Sequence, residues 1–254
     1  MKYILSMLLW GTLACNFLSA QTPKIDSLRT IWQNPSEIDS VRYKASVDLY
    51  MLQFRKSLDT ARATGHRLLH FASNKKNRKW ESTAHNLIGR THAVAGEFEE
   101  ALKYFQKSHE LNLLLNDKKA IGTTYSNIGT IFYELGNYTR AVENLLAGLK
   151  ISEELDDKSG ISRVTNNLGN VYVDQDNHEK ALEYYNYSLE IRKELGNKRV
   201  LPNVYNNIGL VYTELKNHKL AEENLLKSAS IAKEVSDKRA DVKASSNLGG
   251  EYNR

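Results

Sequence analysis

Asn166-Asn167-Leu168-Gly169-Asn170-Val171-Tyr172 decides the architecture, because its elements return at a fixed interval on both sides. The Leu/Ile-Gly pair stands at Ile88-Gly89, Ile128-Gly129, Leu168-Gly169, Ile208-Gly209 and Leu248-Gly249, each glycine 40 residues after the last. Three more ladders keep that register. Alanine recurs at Ala101, Ala141, Ala181 and Ala221. A ring follows each glycine by three residues, at His92, Phe132, Tyr172, Tyr212 and Tyr252. Asparagine precedes it by two, at Asn127, Asn167, Asn207 and Asn247. A fixed period of this length marks a stack of identical supersecondary units.

Each period reads as two helices. Val164, Leu168, Val171 and Tyr172 follow the spacing of one apolar helical face. Asp174-Gln175-Asp176-Asn177 forms a turn, and Ala181, Leu182, Tyr185, Leu189 and Ile191 stripe a second helix. Asp117, Asp157, Asn197 and Asp237, each followed by lysine, mark the joint to the next unit. A short acid or amide there accepts from free amide N–H groups and caps the helix that follows. Antiparallel helices approach to about 8–10 Å where side chains are small. Glycine inside a helix costs about 1 kcal/mol relative to alanine. Its regular return, opposite the alanines, therefore implies close packing in every unit. None of the glycines sits in a glycine-rich turn, so they do not read as phosphate loops.

The rest of the composition agrees with an all-α chain. Apolar residues make up 41% and charged residues 26% of 254, ordinary for a folded protein. Of the prolines Pro23, Pro35 and Pro202, only the last falls within the periodic region, so almost nothing there forbids helix. The net charge of +5 is spread among acids, as in Glu99-Glu100…Lys103 and Glu153-Glu154…Lys158, which describes a solvated helix surface rather than a nucleic-acid interface. His66 and His70 have a chelating spacing, yet no nearby carboxylate or cysteine completes a metal site. His178 and His218 occupy the slot that Phe98 and Tyr138 fill in other units. No metalloprotease, phosphate-loop, nucleophile-elbow or dinucleotide signature is present. The sequence thus predicts no enzyme, no metal, no cofactor and no small-molecule substrate.

At the start, Met1-Lys2, an apolar run from Tyr3 to Leu18 and then Ser19-Ala20-Gln21 describe a secretory signal peptide over 1–20. The run is shorter than the roughly 20 apolar residues of a membrane span. Export to the periplasm or outside the cell is the expectation, with cleavage after Ala20. Thr12-Leu13-Ala14-Cys15 loosely resembles a lipobox, so a lipid on Cys15, the only cysteine, is the rival reading.

Leu/Ile-Gly-x-x-Tyr/Phe, then Gly136-Asn137-Tyr138 or its variants, then Ala-x-x-x-Tyr/Phe/Leu, resembles the tetratricopeptide repeat. The usual repeat is about 34 residues. This chain is similar to the longer Asn-Leu-Gly variant of Rap-type bacterial regulators, kinesin light chains and Leu-Gly-Asn-repeat adaptors. It departs in having Asp-Lys where proline often marks the joint. The resemblance covers 81–254, as units 81–120, 121–160, 161–200, 201–240 and a partial 241–254. Upstream, 37–80 reads as a degenerate hairpin with Leu49 in the glycine register and Ala61 on the alanine ladder. Residues 21–36 read as a linker with a short helix around Ile25–Trp32.

The resemblance implies an α-α superhelix, a right-handed solenoid whose concave wall is built from the first helix of each unit. One helical step from Leu168, Gly169 and Tyr172, that wall would carry Asn127, Asn167 and Asn207, with Arg163, Asn166, Asn170 and Asp174 beside them. The same angle selects Arg90, Thr130, Glu134, Asn203, Asn206, Leu210 and Glu214. Asparagine both donates and accepts, and in the related families it contacts peptide main chain at this place. Amides that bond neighbouring helices and order the stack would explain the same ladder. The lysines of a carboxylate clamp are missing, while Glu134, Asp174 and Glu214 add acid. The expected function is a protein-interaction scaffold for a peptide or partner protein. The alternative is the sensor region of a longer membrane signalling protein with a histidine kinase, nucleotide cyclase or transcriptional module. That alternative follows from the fifth unit, which reaches Arg254 without a second helix and would leave Leu248 and Tyr252 partly uncovered.

Overall fold

The computed structural model describes residues 24–252, with side chains as far as Gly250. The expected signal peptide, Cys15 and Pro23 lie outside the described residues. Within them the chain is all-α, with no strand. Helix α1 covers 24–33. It is followed by α2 (Asp39–Phe54), α3 (Leu58–Asn74), α4 (Arg78–Val94), α5 (Phe98–Leu114), α6 (Lys118–Glu134) and α7 (Tyr138–Glu154). Then come α8 (Lys158–Asp174), α9 (His178–Glu194), α10 (Leu201–Glu214), α11 (His218–Glu234) and α12 (Lys238–Tyr252).

The 40-residue period is built from two similar halves. Helices α3 to α9 and α11 share one length, 17 residues. Short turns join them, and the middle residue of each turn lies in the left-handed region. These residues are Lys76, Gly96, Asn116, Gly136, Asp156, Asp176, Gly196, Lys216 and Ser236, evenly spaced with two to each period. The next residue begins the following helix. Asn77, Asp117, Asn137, Asp157, Asn177, Asn217 and Asp237 each accept a backbone N–H three residues on, at 3.0 to 3.2 Å. Asn197 caps the 3₁₀ turn Lys198–Val200 in a similar way. That turn replaces the first turn of α10, where Pro202 sits without needing a backbone partner for its nitrogen.

The chain divides into two compact units, one ending at Leu111 and the other beginning at Asn112, within α5. In the first, Trp32, Tyr50, Leu68, Phe71 and Leu87 form a core to which α1 contributes its tryptophan. The Tyr50 hydroxyl donates to the Leu87 carbonyl at 2.7 Å. Leu49, in the glycine register, is buried all the same, and Ala61 is fully buried. The second unit packs α6 on α7, α8 on α9 and α10 on α11, and each second helix against the next first helix.

The register glycines lie where helices meet. A Cβ on Gly129 would stand 3.1 Å from the Ala141 carbonyl oxygen and 2.8 Å from Leu145, and one on Gly209 would stand 3.3 Å from the Ala221 oxygen and 2.8 Å from Leu225. Gly89 faces Ala101 and Phe105 in the same way, while Gly169 lies under the Tyr185 ring. Ala101, Ala141, Ala181 and Ala221 are fully buried. Gly249 differs from the expectation: it is exposed and a Cβ there would meet nothing within 4 Å. Among the described residues no second helix follows α12 to press on it.

A second contact per hairpin holds the other end of the helix pair. Ser108 donates to the Ser82 carbonyl at 3.0 Å, Ser188 to Ser162 at 2.6 Å and Ser228 to Pro202 at 2.7 Å. In the α6–α7 hairpin Gly122 and Gly148 take these places, and a Cβ on Gly148 would stand 3.0 Å from the Gly122 oxygen.

Candidate functional site

Packing on neighbouring helices buries much of α6, α8 and α10, and each of the three keeps a stripe within reach of solvent. On α6 the stripe is Thr123, Asn127, Thr130 and Glu134; on α8 it is Arg163, Asn167, Asn170 and Asp174. On α10 it is Asn203, Asn207, Leu210 and Glu214. Spacings of three and four residues put each stripe on one helix face. The 40-residue register repeats the stripe on each first helix.

Polar atoms of adjacent stripes are joined. Asn167 donates to the Thr130 hydroxyl at 2.9 Å, and Asn207 stands 3.5 Å from the Asn170 oxygen. Both bonds have the same separation along the chain. Asn247 would reach position 210, where leucine offers no acceptor, and it donates instead to Asn206 at 2.7 Å. Asn206 was expected on the wall, but it is only 2% exposed. It lies one residue off the stripe, so the helix turns it inward, and its Nδ2 has no partner among the described residues. Asn166, in the same register, is half-buried with its Oδ1 unpartnered. Arg90 belongs to the first unit, where its guanidinium lies 5.0 Å from the centre of the Phe54 ring.

A cleft of about 410 Å³ opens on this face, where the end of α8, the start of α9 and α10 meet. Val173, Leu210 and Val211 give it apolar walls; Asp174, Asp176 and Glu214 give it acid. Tyr185 rises beneath Gly169 and donates its hydroxyl to Asn170 at 2.7 Å. Burial pushes the Tyr185 phenol well above its ordinary range, so it stays a donor. Tyr133 is raised by burial and by its hydrogen bond to Asp174. His178 lines the cleft with its Nδ1 buried and unpartnered.

Sequence reasoning placed Asp174, Asn207, Leu210 and Glu214 on this face and missed Tyr133, Val173, His178, Tyr185 and Val211. One signal was available. Phe105, Leu145, Tyr185 and Leu225 form their own 40-residue ladder, and Tyr185 alone carries a hydroxyl there.

The first unit holds a different cluster. His66, His85 and His92 surround Tyr104, with ring centres 6.0, 5.8 and 5.2 Å away. His92 bonds to Glu97, which also takes Arg62 at 3.1 Å. The His92 bond is the main cause holding the Glu97 carboxyl below its usual range. His70 bonds to Asn74. Among the described residues no three His, Cys, Asp or Glu side chains converge as a metal-holding group, and no helix is long and apolar enough to cross a membrane.

Comparison with known proteins fits this geometry. Residues 80–154 and 120–194 match the tetratricopeptide repeat, as do residues 202–234, together more than half of the chain. No curated protein matches it at the level of sequence. Among solved structures it is similar to BtubC (BKLC) from P. vanneervenii, with 17% identity, a TM-score of 0.69, and 86% of this chain and 90% of that one covered. It also resembles a STAND ATPase with a tetratricopeptide repeat sensor from Pyrococcus horikoshii, at 19% identity and a TM-score of 0.72, covering 92% of this chain and 37% of that one. A third likeness is a Rap protein complexed with Competence and Sporulation Factor, at 16% identity and a TM-score of 0.63, covering 85% of this chain and 65% of the other. The shared fold is the α-α superhelix, and the chain belongs to the tetratricopeptide repeat family.

Proposed function

We propose that the chain is a protein-interaction scaffold that holds an extended segment of a partner on the stripe face of α6, α8 and α10, and that it carries no catalytic role. The observation behind this reading is the coincidence of three stripes, repeated in register, with a cleft of about 410 Å³ whose walls mix Leu210 and Val211 with polar side chains. Extended chains need main-chain partners at regular intervals and pockets for alternate side chains. The stripe amides supply the first and the cleft the second. That a Rap protein was solved with a bound factor on the same type of fold supports the reading. In this proposal the scaffold is exported, a reading supported by the signal-peptide pattern of residues 1–20; a sensor role would use the same face.

The test places a photocrosslinking residue at Leu210 on the stripe, or at Leu226, exposed on the second helix α11. Peptides selected from a random library by the purified protein should be trapped from position 210 and not from 226. Trapping from 226 alone would remove the stripe face from consideration.

A further inference from the structure

The charge of the partner can be read from how the helix ends are neutralised. Every helix from α6 to α11 finishes in a carboxylate. A negative group there is opposed by the partial negative charge of the helix terminus, at about 0.3–1 kcal/mol in exposed positions. The second helices relieve this with a lysine from the start of the preceding first helix. Glu154 meets Lys118 at 3.9 Å, Glu194 meets Lys158 at 2.8 Å and Glu234 meets Lys198 at 2.6 Å. The first helices have no such relief. Glu134, Asp174 and Glu214 are all exposed, and among the described residues no lysine or arginine pairs with them. Asp174 takes the neutral Tyr133 phenol instead.

Two of these three carboxylates, with Asp176, border the cleft, and among the described residues no basic side chain other than His178 lines it. Its apolar walls, Val173, Leu210 and Val211, run alongside the acids. That combination suits a side chain with an aliphatic stem and a cationic tip. The partnerless, buried Nδ1 of His178 leaves one further hydrogen-bonding position open in the same cleft.

We infer that the segment held on this face is basic, and that a lysine or arginine side chain enters the cleft between Asp174 and Glu214. This rests on the proposed stripe face and adds the chemistry of its occupant. Its test is the composition of the selected peptides and their response to charge removal. Peptides trapped at position 210 should be enriched in lysine and arginine. A fluorescently labelled member should bind more weakly as salt rises from about 50 to about 300 mM, since the rim charges are screened. Glu214→Gln, at an exposed site, should weaken it roughly tenfold. Glu214→Gln with Asp176→Asn should weaken it further, leaving the circular dichroism spectrum unchanged. A Lys-to-Gln version of the peptide should bind the parent protein no better than it binds that double variant. Peptides that crosslink at 210 but carry no cationic residue, or that bind Glu214→Gln as well as the parent, would overturn the basic partner while leaving the face intact. Crosslinks confined to 226 would overturn both.

Discussion

At the residue scale, glycines of this chain fall into three kinds that a substitution to alanine separates. At Gly129 an added methyl group meets the Ala141 carbonyl oxygen at 3.1 Å and the Leu145 nitrogen at 3.1 Å, backbone atoms that cannot rotate away. Gly129→Ala should cost about 1–3 kcal/mol by overpacking, read as a lower urea midpoint. Gly136 has open space around it but a φ of +72°. There the same change should cost about 1–2 kcal/mol through backbone strain alone. Gly249→Ala, with neither constraint, should stabilise by about 0.5–1 kcal/mol, and a fall in its melting temperature would contradict that account. These glycines were legible in the sequence because a register repeated with identical residues leaves a visible ladder. The stripe amides were legible as a ladder but not as a bonding scheme. Nothing in the letters says that Asn167 reaches Thr130 while Asn247, facing Leu210, turns to Asn206.

Elements here are held by two contacts per hairpin, and only one announces itself. The glycine–alanine contact recurs with the same letters. The contact at the other end is made by Ser82–Ser108, Gly122–Gly148, Ser162–Ser188 and Pro202–Ser228, where the residue type changes while the geometry persists. Small size is what the site requires, so several residues satisfy it and the periodicity blurs. Ser188→Ala should cost about 1 kcal/mol, since it removes a buried hydrogen bond to Ser162 at 2.6 Å without opening a cavity. Asp157→Ala removes the side chain that accepts from Gly160 and should cost about 1 kcal/mol at the start of α8. Hydrogen exchange localised to that first turn is the measurement that checks it. The cleft between α8 and α10 was the least legible part. Its walls include Val173 and Tyr185, whose counterparts in other units (Tyr133 and Thr213 for the first, Phe105, Leu145 and Leu225 for the second) have different chemistry.

Over the whole molecule, acid sensitivity should be concentrated before Leu111. Burial, the largest cause in each case, lowers the pKa of His66, His85 and His109. His92 and Arg62 add to this at His66, and Lys107 adds to it at His85. A histidine whose folded pKa lies below the unfolded value of about 6.5 binds fewer protons when folded, so its contribution to stability is lost as pH falls below that value. Amides of α3 to α5 should therefore lose exchange protection between about pH 7.5 and about pH 5.5. His85→Gln should flatten that response, and equal loss across α6 to α11 would refute the assignment.

The even spacing of left-handed turns, one after each helix from α3 to α11, also makes the molecule editable in whole steps. Excising 161–200 would bring Asn207 opposite Thr130 with the separation that Asn167 now has, and seat Gly209 and Ala221 in the places of Gly169 and Ala181. The shortened chain would inherit a complete set of compatible joints. Removing a single helix with its turn would instead swap second helices for first ones and leave every seam mismatched. Duplication or loss of single blocks is thus compatible with the geometry of the turns, and the length of the stripe face, the proposed binding surface, would grow or shrink with it.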